Sequence, residues 1–394
     1  MAGGAASTTD GRAQHLRIAL EGALGVPFTN GNAIEPFLNG VRIFPAMLNA
    51  IAAAKHRIEL LTYIYWSGTV ATQFVDALAE RVRAGVEVRL LLDGVGARPM
   101  PKEFLDKMEA AGVQVRWFRP LARFKLGQVV HRTHRKILVV DSELGFTGGV
   151  GIAAEWEGDA QDPDHWRKTH FRCGGPCVRA LRAAFYQNWF EADFDVTPAL
   201  TPVQPPAAAG EMAVQVIASS GSFAFSDVAI LHEALAQLAE RHLRIVTPYF
   251  VPTAATVASL VEARKRGVAI EIMIPGPHTD MRVSDLAGSD AFDPLLKAGV
   301  EIWRYQPTLI HSKVITLDGI LSCVGSANFN QRSESKDEEV ALNVLSPELC
   351  RQLDDHFAMD QRQCEKVTLW TWRRRGVFGG WRRRPRRSSG RRRS

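Results

Sequence analysis

His134-Arg135-Lys136-Ile137-Leu138-Val139-Val140-Asp141 is followed by Gly148-Gly149, and His311-Ser312-Lys313-Val314-Ile315-Thr316-Leu317-Asp318 is followed by Gly325-Ser326-Ala327-Asn328. Both stretches have the pattern His-x-Lys-x4-Asp with a glycine turn behind it. Residues two apart in an extended strand face the same way, so each stretch presents an imidazole beside an ammonium. The mostly apolar residues between Lys and Asp predict a buried strand that holds this pair in place.

The two motifs end two copies of a longer repeat, in which a helix, a strand, a second helix, a Gly-Val pair and a second strand come before the motif. The elements predicted for the first copy are Val75–Ala84, Val86–Leu92, Lys102–Ala111 and Gln114–Phe118. Those predicted for the second copy are Ala255–Arg266, Val268–Ile274, Ala291–Ala298 and Glu301–Tyr305. This alternation predicts an α/β fold of two pseudo-symmetric halves, each a mostly parallel or mixed sheet flanked by helices. We expect the active site at their interface.

The length of 394 residues fits two domains, and composition predicts their boundaries. Residues 1–30 are predicted to form a partly disordered N-terminal lead-in, with Met1–Gln14 small and polar. The halves are predicted at residues 31–196 and 211–365. Between them, the Pro- and Ala-rich residues 197–210 have no apolar periodicity, as is typical of a linker.

The basic charge is concentrated in a predicted tail, residues 366–394. The formal net charge is +6, and the eleven arginines from Arg373 onward leave 6 − 11 = −5 for residues 1–372. Tryptophans beside these arginines suit the interface of an anionic membrane. A solubilising or nucleic-acid-binding tail is the alternative interpretation. No apolar run reaches the roughly 18 residues of a membrane span, which favours a soluble or peripheral protein.

The five cysteines, an odd number, lack zinc-binding spacing. They are interpreted as free thiols in a reducing cytoplasm. The pair Cys173 and Cys177 lacks the neighbours that a metal site needs. His131, Asp162 and Asp164 are interpreted as solvated loop residues.

The paired residues match what a phosphodiester requires. One neutral histidine can attack phosphorus while the other, protonated, supplies a proton to the departing alkoxide. Two lysines and the glycine turns can stabilise the charge on the nonbridging oxygens. This chemistry requires no metal ion, and one half alone supplies only half of the set.

The chain resembles the phospholipase D superfamily over roughly residues 31–364, most closely the bacterial cardiolipin synthases. The resemblance extends to blocks that flank the motifs: Thr62-Tyr63-Ile64-Tyr65, Thr247-Pro248-Tyr249-Phe250-Val251-Pro252, Arg304-Tyr305-Gln306-Pro307 and Arg332-Ser333. It implies a two-step mechanism, with His134 as the nucleophile that forms a phosphohistidine and His311 as general acid and later base.

The same resemblance implies roles for the surrounding residues. Lys136, Lys313 and Asn328 would bind phosphate oxygens, with Gly149 and Ser326 in the supporting turns. Glu339 would hydrogen-bond a catalytic histidine and fix its tautomer. Asp141 and Asp318 complete the catalytic motifs and are expected to stabilise the site structurally.

The first half departs from the family pattern at two positions. Gly151 replaces an asparagine, so one phosphate ligand is absent. Lys168 stands where relatives commonly have an aspartate that orients the other half's histidine. Asp164 or Glu155 is the expected substitute for that carboxylate.

These features favour a phosphatidyltransferase that makes cardiolipin from phosphatidylglycerol, bound peripherally to the inner face of the cell membrane. Its expected partners are anionic phospholipid and the membrane surface, with no cofactor and no obligate protein partner. A phospholipase D-type hydrolase is the alternative. A nuclease is disfavoured, because nucleic acid requires a basic binding face and the net charge of the body is acidic. A catalytically weak membrane-binding scaffold remains a hypothesis of another class.

Overall fold

The computed structural model describes residues 3–120, 131–196, 204–220, 226–280 and 289–374, with side chains from Asp10 and, in the last range, from Ala291. Half of the predicted linker, residues 197–203, and the tail from residue 375 lie outside these ranges. Strands β1 to β15 are Thr29–Leu38, Arg57–Thr62, Glu87–Asp93, Gln114–Phe118, Ile137–Val140, Leu144–Gly148, Thr169–Gly174, Met212–Ser219, His242–Val246, Ala269–Pro275, Glu301–Tyr305, Val314–Leu317, Leu321–Gly325, Glu339–Leu345 and Cys364–Val367. Helices α1 to α11 are Gly3–Leu24, Asn39–Ala53, Thr69–Arg83, Lys102–Ala111, Cys177–Ala192, Asp227–Leu238, Ala254–Lys265, Ser289–Ala298, Gln331–Ser335, Pro347–Gln361 and Leu369–Arg374, with a 3₁₀ turn at Ala154–Trp156.

All fifteen strands belong to one sheet in the order β15-β11-β10-β9-β12-β13-β14-β8-β1-β7-β6-β5-β2-β3-β4. The strand order is the same on both sides of the central β8–β1 pair. The strands that correspond to β7, β6, β5, β2, β3 and β4 are, in this order, β14, β13, β12, β9, β10 and β11. Strand β15 is an addition at one edge. This order confirms the duplicated α/β fold predicted from the paired motifs.

The sheet is mixed rather than mostly parallel. The β2–β3–β4 and β9–β10–β11 pairings are parallel, as helix-connected strands must be. The strands of each motif, β5 and β12, pair antiparallel with both of their neighbours. The short connections after each motif, such as Asp318 to Ile320 before β13, leave room only for a hairpin.

The helices cover the sheet in layers. On one face, α5 and α10 pack on strands of both halves and form one continuous core that includes Leu181, Phe185, Leu353 and Phe357. On the other face, α2 and α3 cover the first half, while α1, α6, α7 and α8 cover the second. No helix within the described ranges has the length and apolarity needed to cross a bilayer.

The prediction of a disordered lead-in is wrong for the part of it that the structure describes, because Gly3–Leu24 is helical. Leu16 and Leu20 are fully buried and Leu24 is nearly so, in the core of the second half. These leucines recur every four residues and therefore line one helical face. The helix was not predicted because the segment begins with polar residues and its apolar stripe is short.

We expect Leu20→Ala to lower the free energy of unfolding by about 2–5 kcal/mol, because it removes a fully buried side chain and leaves a cavity. Ile18→Ala on the same helix is the matched control, since Ile18 is 60% exposed. Denaturant unfolding of both variants measures the difference. Equal stability of the two would show that α1 does not pack on the core in solution.

Candidate active site

Each motif is held by the main chain of the opposite half. The backbone N–H of His134 donates to the carbonyl of Glu338 at 2.8 Å, and that of His311 donates to the carbonyl of Arg167 at 2.7 Å. Short parallel bridges join Thr133 to Glu338 and Arg167 to Ile310 beside these bonds. The two imidazoles therefore meet at the interface of the halves, as the duplication predicted.

His134 is oriented by a carboxylate of the second half. Its Nδ1 lies 3.0 Å and 3.1 Å from the two carboxylate oxygens of Glu339. Since a carboxylate accepts, the proton is assigned to Nδ1, and Nε2 is the unprotonated nitrogen that carries the lone pair. The edge of the ring packs against Tyr63, with centroids 5.3 Å apart.

Glu339 is itself fixed by two serines. The Oγ of Ser326 donates to one carboxylate oxygen at 2.5 Å, and the Oγ of Ser333 donates to the other at 2.7 Å. Burial raises the pKa of Glu339, and the ammonium of Lys136 opposes that shift. The role of Ser333 was missed in the sequence, although it lies in a recognised block, because its contact depends on the turn of α9.

His311 is oriented differently. Its Nδ1 donates to the carbonyl of Gly149 at 2.8 Å, while Lys313 Nζ lies 3.1 Å from its Nε2. Three aromatic rings surround it: the centroids of Trp156, Trp166 and Tyr249 lie 5.9, 5.5 and 6.1 Å from that of the imidazole. None of these aromatic residues was predicted to belong to the site.

The two lysines supply buried positive charge. Burial lowers the pKa of Lys136 to about 8. Burial and the nearby Lys136 lower the pKa of Lys313 well below its usual value. Burial, followed by the charges of both lysines, also lowers the pKa of His134 and His311. Both imidazoles are therefore neutral at pH 7, in a site whose cations are poised to accept an anion.

Asp141 and Asp318 do not face the imidazoles. The carboxylate of Asp141 accepts from the backbone N–H groups of residues 55–57, and that of Asp318 accepts from those of residues 240–242. Both lie at the far ends of the motif strands with left-handed backbone, φ 52° and 56°. Neither aspartate touches the reacting groups; each carboxylate fixes the start of the neighbouring strand, which is the structural role expected of it. Asp318 also forms an ion pair with Arg12 of α1 at 2.9 Å.

The absence of an asparagine at position 151 has a structural reason. A Cβ atom on Gly151 would lie 2.9 Å from Ile64 Cβ and 3.4 Å from the Trp156 ring. Its counterpart Asn328 is buried, and the Asn328 Oδ1 has no hydrogen-bond partner among the described residues. The second half thus has the polar side chain of Asn328 at the position where the first half has Gly151 packed against Ile64 and the Trp156 ring.

Lys168 occupies the place that corresponds to Glu339. Gly148 pairs with His170 and Gly325 pairs with Ala341, so Lys168 and Glu339 each lie two residues before the paired position. The Lys168 ammonium is buried and donates to the carbonyl of Glu155 at 3.3 Å.

The prediction that Asp164 or Glu155 substitutes for the missing carboxylate is wrong. Asp164 is exposed, and Nδ1 of His311 bonds the carbonyl of Gly149 rather than the carboxylate of Glu155. The carbonyl of Gly149 takes this place, because the glycine turn brings its backbone against His311. Within the described ranges, no group of three His, Cys, Asp or Glu side chains is arranged to hold a metal ion.

We expect Gly151→Asn to give no gain in activity and to destabilise the protein by about 1–3 kcal/mol, because the new side chain overpacks the space beside Ile64 and the Trp156 ring. Thermal unfolding and an activity assay measure both effects. Adding Ile64→Ala should recover part of the lost stability, since Ile64 provides the nearest contact. A single variant with unchanged stability and higher activity contradicts the explanation.

A duplicated α/β fold with two His-x-Lys pairs meeting at one interface defines the phospholipase D class of phosphodiester enzymes. The chain belongs to the family described as cardiolipin synthase with a phospholipase D-like domain, whose model matches residues 47–155 and 233–361.

Similar proteins agree with this family. Cardiolipin synthase 1 of Bacillus anthracis is 31% identical over 377 residues, which are 93% of this chain and 74% of that one. A cardiolipin synthase of Clostridium perfringens strain SM101 is 29% identical and covers 89% of this chain and 75% of its own length. The crystal structure of phosphatidylserine synthase from Haemophilus influenzae is similar in fold, with a TM-score of 0.68 at 14% identity over 90% of this chain and 92% of that one.

Proposed function

We propose that the chain is a phosphatidyltransferase that makes cardiolipin from phosphatidylglycerol through a phosphohistidine intermediate. The observation that carries this proposal is the His134–Glu339 pair, which leaves Nε2 of a neutral imidazole unprotonated beside the two buried lysines Lys136 and Lys313. The names of the relatives support the lipid substrate.

The reaction proceeds in two displacements. His134 Nε2 attacks phosphorus, an N–P bond forms, and the P–O bond to the departing glycerol breaks. His311, protonated at Nε2, gives its proton to that alkoxide. A phosphodiester bound between Lys136 and Lys313 adds negative charge, which raises the pKa of His311 and favours its acid form.

The second displacement reverses the proton movement. His311, now neutral, takes the proton of the incoming hydroxyl group, whose oxygen attacks phosphorus as the N–P bond breaks. The polar ends of the turns at Gly149 and Ser326, with Asn328, lie beside the phosphate and help to hold its oxygens. Water in place of the alcohol would give hydrolysis.

The proposed partner is an anionic membrane, and the enzyme lies peripherally on its cytoplasmic face. Helix α11 supports contact with a membrane surface, because Trp370 is 63% exposed and Arg374 lies over its ring at 4.3 Å. Trp372 stacks on Phe292 at 4.5 Å and fixes α11 to α8. Exposed tryptophan beside arginine suits the headgroup region of a bilayer.

The test is to incubate the purified chain with phosphatidylglycerol vesicles and to identify the products by mass spectrometry. Cardiolipin with equimolar glycerol supports the transferase. Phosphatidic acid as the main product, even at high lipid density, would replace the proposal with a hydrolase. Tight vesicle binding without any product would indicate a scaffold.

A further inference from the structure

Tyr249 and Asp280 form a polar pair beside His311 that the mechanism above does not use. The hydroxyl of Tyr249 donates to Asp280 Oδ2 at 2.6 Å. The Tyr249 ring lies 6.1 Å from that of His311 and nearly perpendicular to it, at 77°. Asp280 is exposed, so its carboxylate is accessible to a ligand that reaches this side of the site.

The pair faces the reacting groups. The charge of Asp280 opposes the lowering of the Lys313 pKa, which places this carboxylate within electrostatic reach of that ammonium. Burial, followed by Asp280, raises the pKa of Tyr249 well above its usual value, so the phenol stays protonated and continues to donate to Asp280. The aspartate is thereby held at the rim on the His311 side.

Among the described residues, the position beside His134 that corresponds to Tyr249 holds no tyrosine. Thr247 Oγ1 donates to the carbonyl of Tyr249 as Thr62 Oγ1 donates to the carbonyl of Ile64, so Ile64 is the counterpart of Tyr249. The polar pair therefore distinguishes the general acid's side of the site from the nucleophile's side. In an in-line displacement by His134, both the departing and the incoming alcohol lie on the side of His311.

The chemistry of the pair selects its ligand. A carboxylate repels the phosphate and accepts protons from hydroxyl groups. The neighbouring charges of Lys313 and Lys136 disfavour a cationic head group there, whereas a neutral polyol is not repelled. Glycerol carries hydroxyl groups besides the one that reacts. Such a hydroxyl is a hydrogen-bond donor that can reach beyond His311.

We propose that Asp280, held by Tyr249, binds a non-reacting hydroxyl of the glycerol head group and so makes the enzyme select polyols over simple alcohols. This inference rests on the proposed transferase function. Asp280 acts on specificity, while His134 and His311 carry the bond changes.

The test compares glycerol with ethanol as acceptors. Purified full-length chain is incubated with phosphatidylcholine vesicles that contain phosphatidylglycerol, plus either deuterated glycerol or ethanol, and the labelled phosphatidylglycerol and phosphatidylethanol are quantified. In Asp280→Asn the amide oxygen can keep the Tyr249 bond, which leaves an NH₂ group facing the alcohol. We expect KM for glycerol to rise about tenfold while ethanol transfer stays within about twofold.

Two further variants complete the design. Tyr249→Phe releases Asp280 and is expected to raise KM for glycerol in the same direction. Asp355→Asn changes an exposed carboxylate of α10 that pairs with Arg351, and it serves as the matched control with unchanged kinetics.

The possible outcomes are distinct. An unchanged glycerol-to-ethanol preference in Asp280→Asn, or an equal loss with both alcohols, overturns the inference and leaves the transferase standing. With ethanolamine added as a third acceptor, a selective loss with ethanolamine but not with glycerol overturns the inference in favour of a cationic head group. A wild-type chain that transfers to neither alcohol and forms no cardiolipin overturns the proposed function itself.

Discussion

His134→Ala is expected to reduce phosphatidyl transfer by at least ~10⁴-fold, because it removes the nucleophile on which both displacements depend. The substitution leaves the main-chain bond to Glu338 and the fold in place. Product formation from phosphatidylglycerol vesicles measures the loss. The alkali-stable, acid-labile phosphohistidine, trapped by rapid alkaline quenching with labelled lipid, should disappear completely.

His311→Ala provides the matched comparison, since it changes the same side chain in the other motif. With a phosphodiester whose leaving group is p-nitrophenolate, no proton donor is needed, so this variant should still form the covalent intermediate. With glycerol as the leaving group it should be inactive. Covalent labelling of His134→Ala but not of His311→Ala would reverse the assignment of the two histidines.

Glu339→Gln is expected to reduce turnover by ~10²–10⁴-fold, because an amide no longer secures the Nδ1–H tautomer of His134. The carboxylate lies 3.0 Å from Nδ1 and is held there by Ser326 and Ser333. Steady-state kinetics should show the loss in kcat more than in KM, since Glu339 acts through His134.

The same variant should change the pH profile. The pKa of Lys136 is lowered to about 8 by burial, and the charge of Glu339 acts in the opposite direction. Removing that charge lowers this pKa further, so Lys136 loses its proton at a lower pH. The rise of KM for the phosphodiester on the alkaline side should therefore move to lower pH.

Glu338→Gln is the control for this shift. Its carboxylate faces Arg119 and Asn188 rather than His134. The rise of KM on the alkaline side should therefore occur at the same pH as in the wild-type protein. If Glu339→Gln leaves both kcat and the pH of this rise unchanged, Glu339 does not orient the nucleophile.

The two histidines differ because their supports differ. His134 faces a carboxylate, which stabilises the positive charge that develops on a nucleophilic imidazole, whereas His311 faces a carbonyl. The buried Lys168 and the Trp156 ring occupy the positions where the second half has Glu339 and Asn328. The asymmetry suggested by two substitutions is thus built into the packing of the first half.

The sequence by itself determined the repeat, the motif strands and the chemistry of the site. These are local properties: an apolar run between Lys and Asp, and glycines that end helices. Gly85, Gly112, Gly267 and Gly299 all have φ between 86° and 98°, the left-handed conformation that such helix ends require. The helix Lys102–Ala111 and the strands Gln114–Phe118 and Glu301–Tyr305 were predicted to the residue.

Only the tertiary structure decided what each imidazole faces. Glu339 and His134 are 205 residues apart, and Gly149 and His311 are 162 apart. Every residue has a main-chain carbonyl, so the sequence does not show which carbonyl accepts a given hydrogen bond. The orienting partner of His311 was therefore sought among side chains. The tertiary structure also decided which backbone groups the motif aspartates bind, because the direction in which a side chain points at the end of a strand depends on the turn that follows. The paired motif specifies which groups are present, and the packing of the two halves specifies which of them meet.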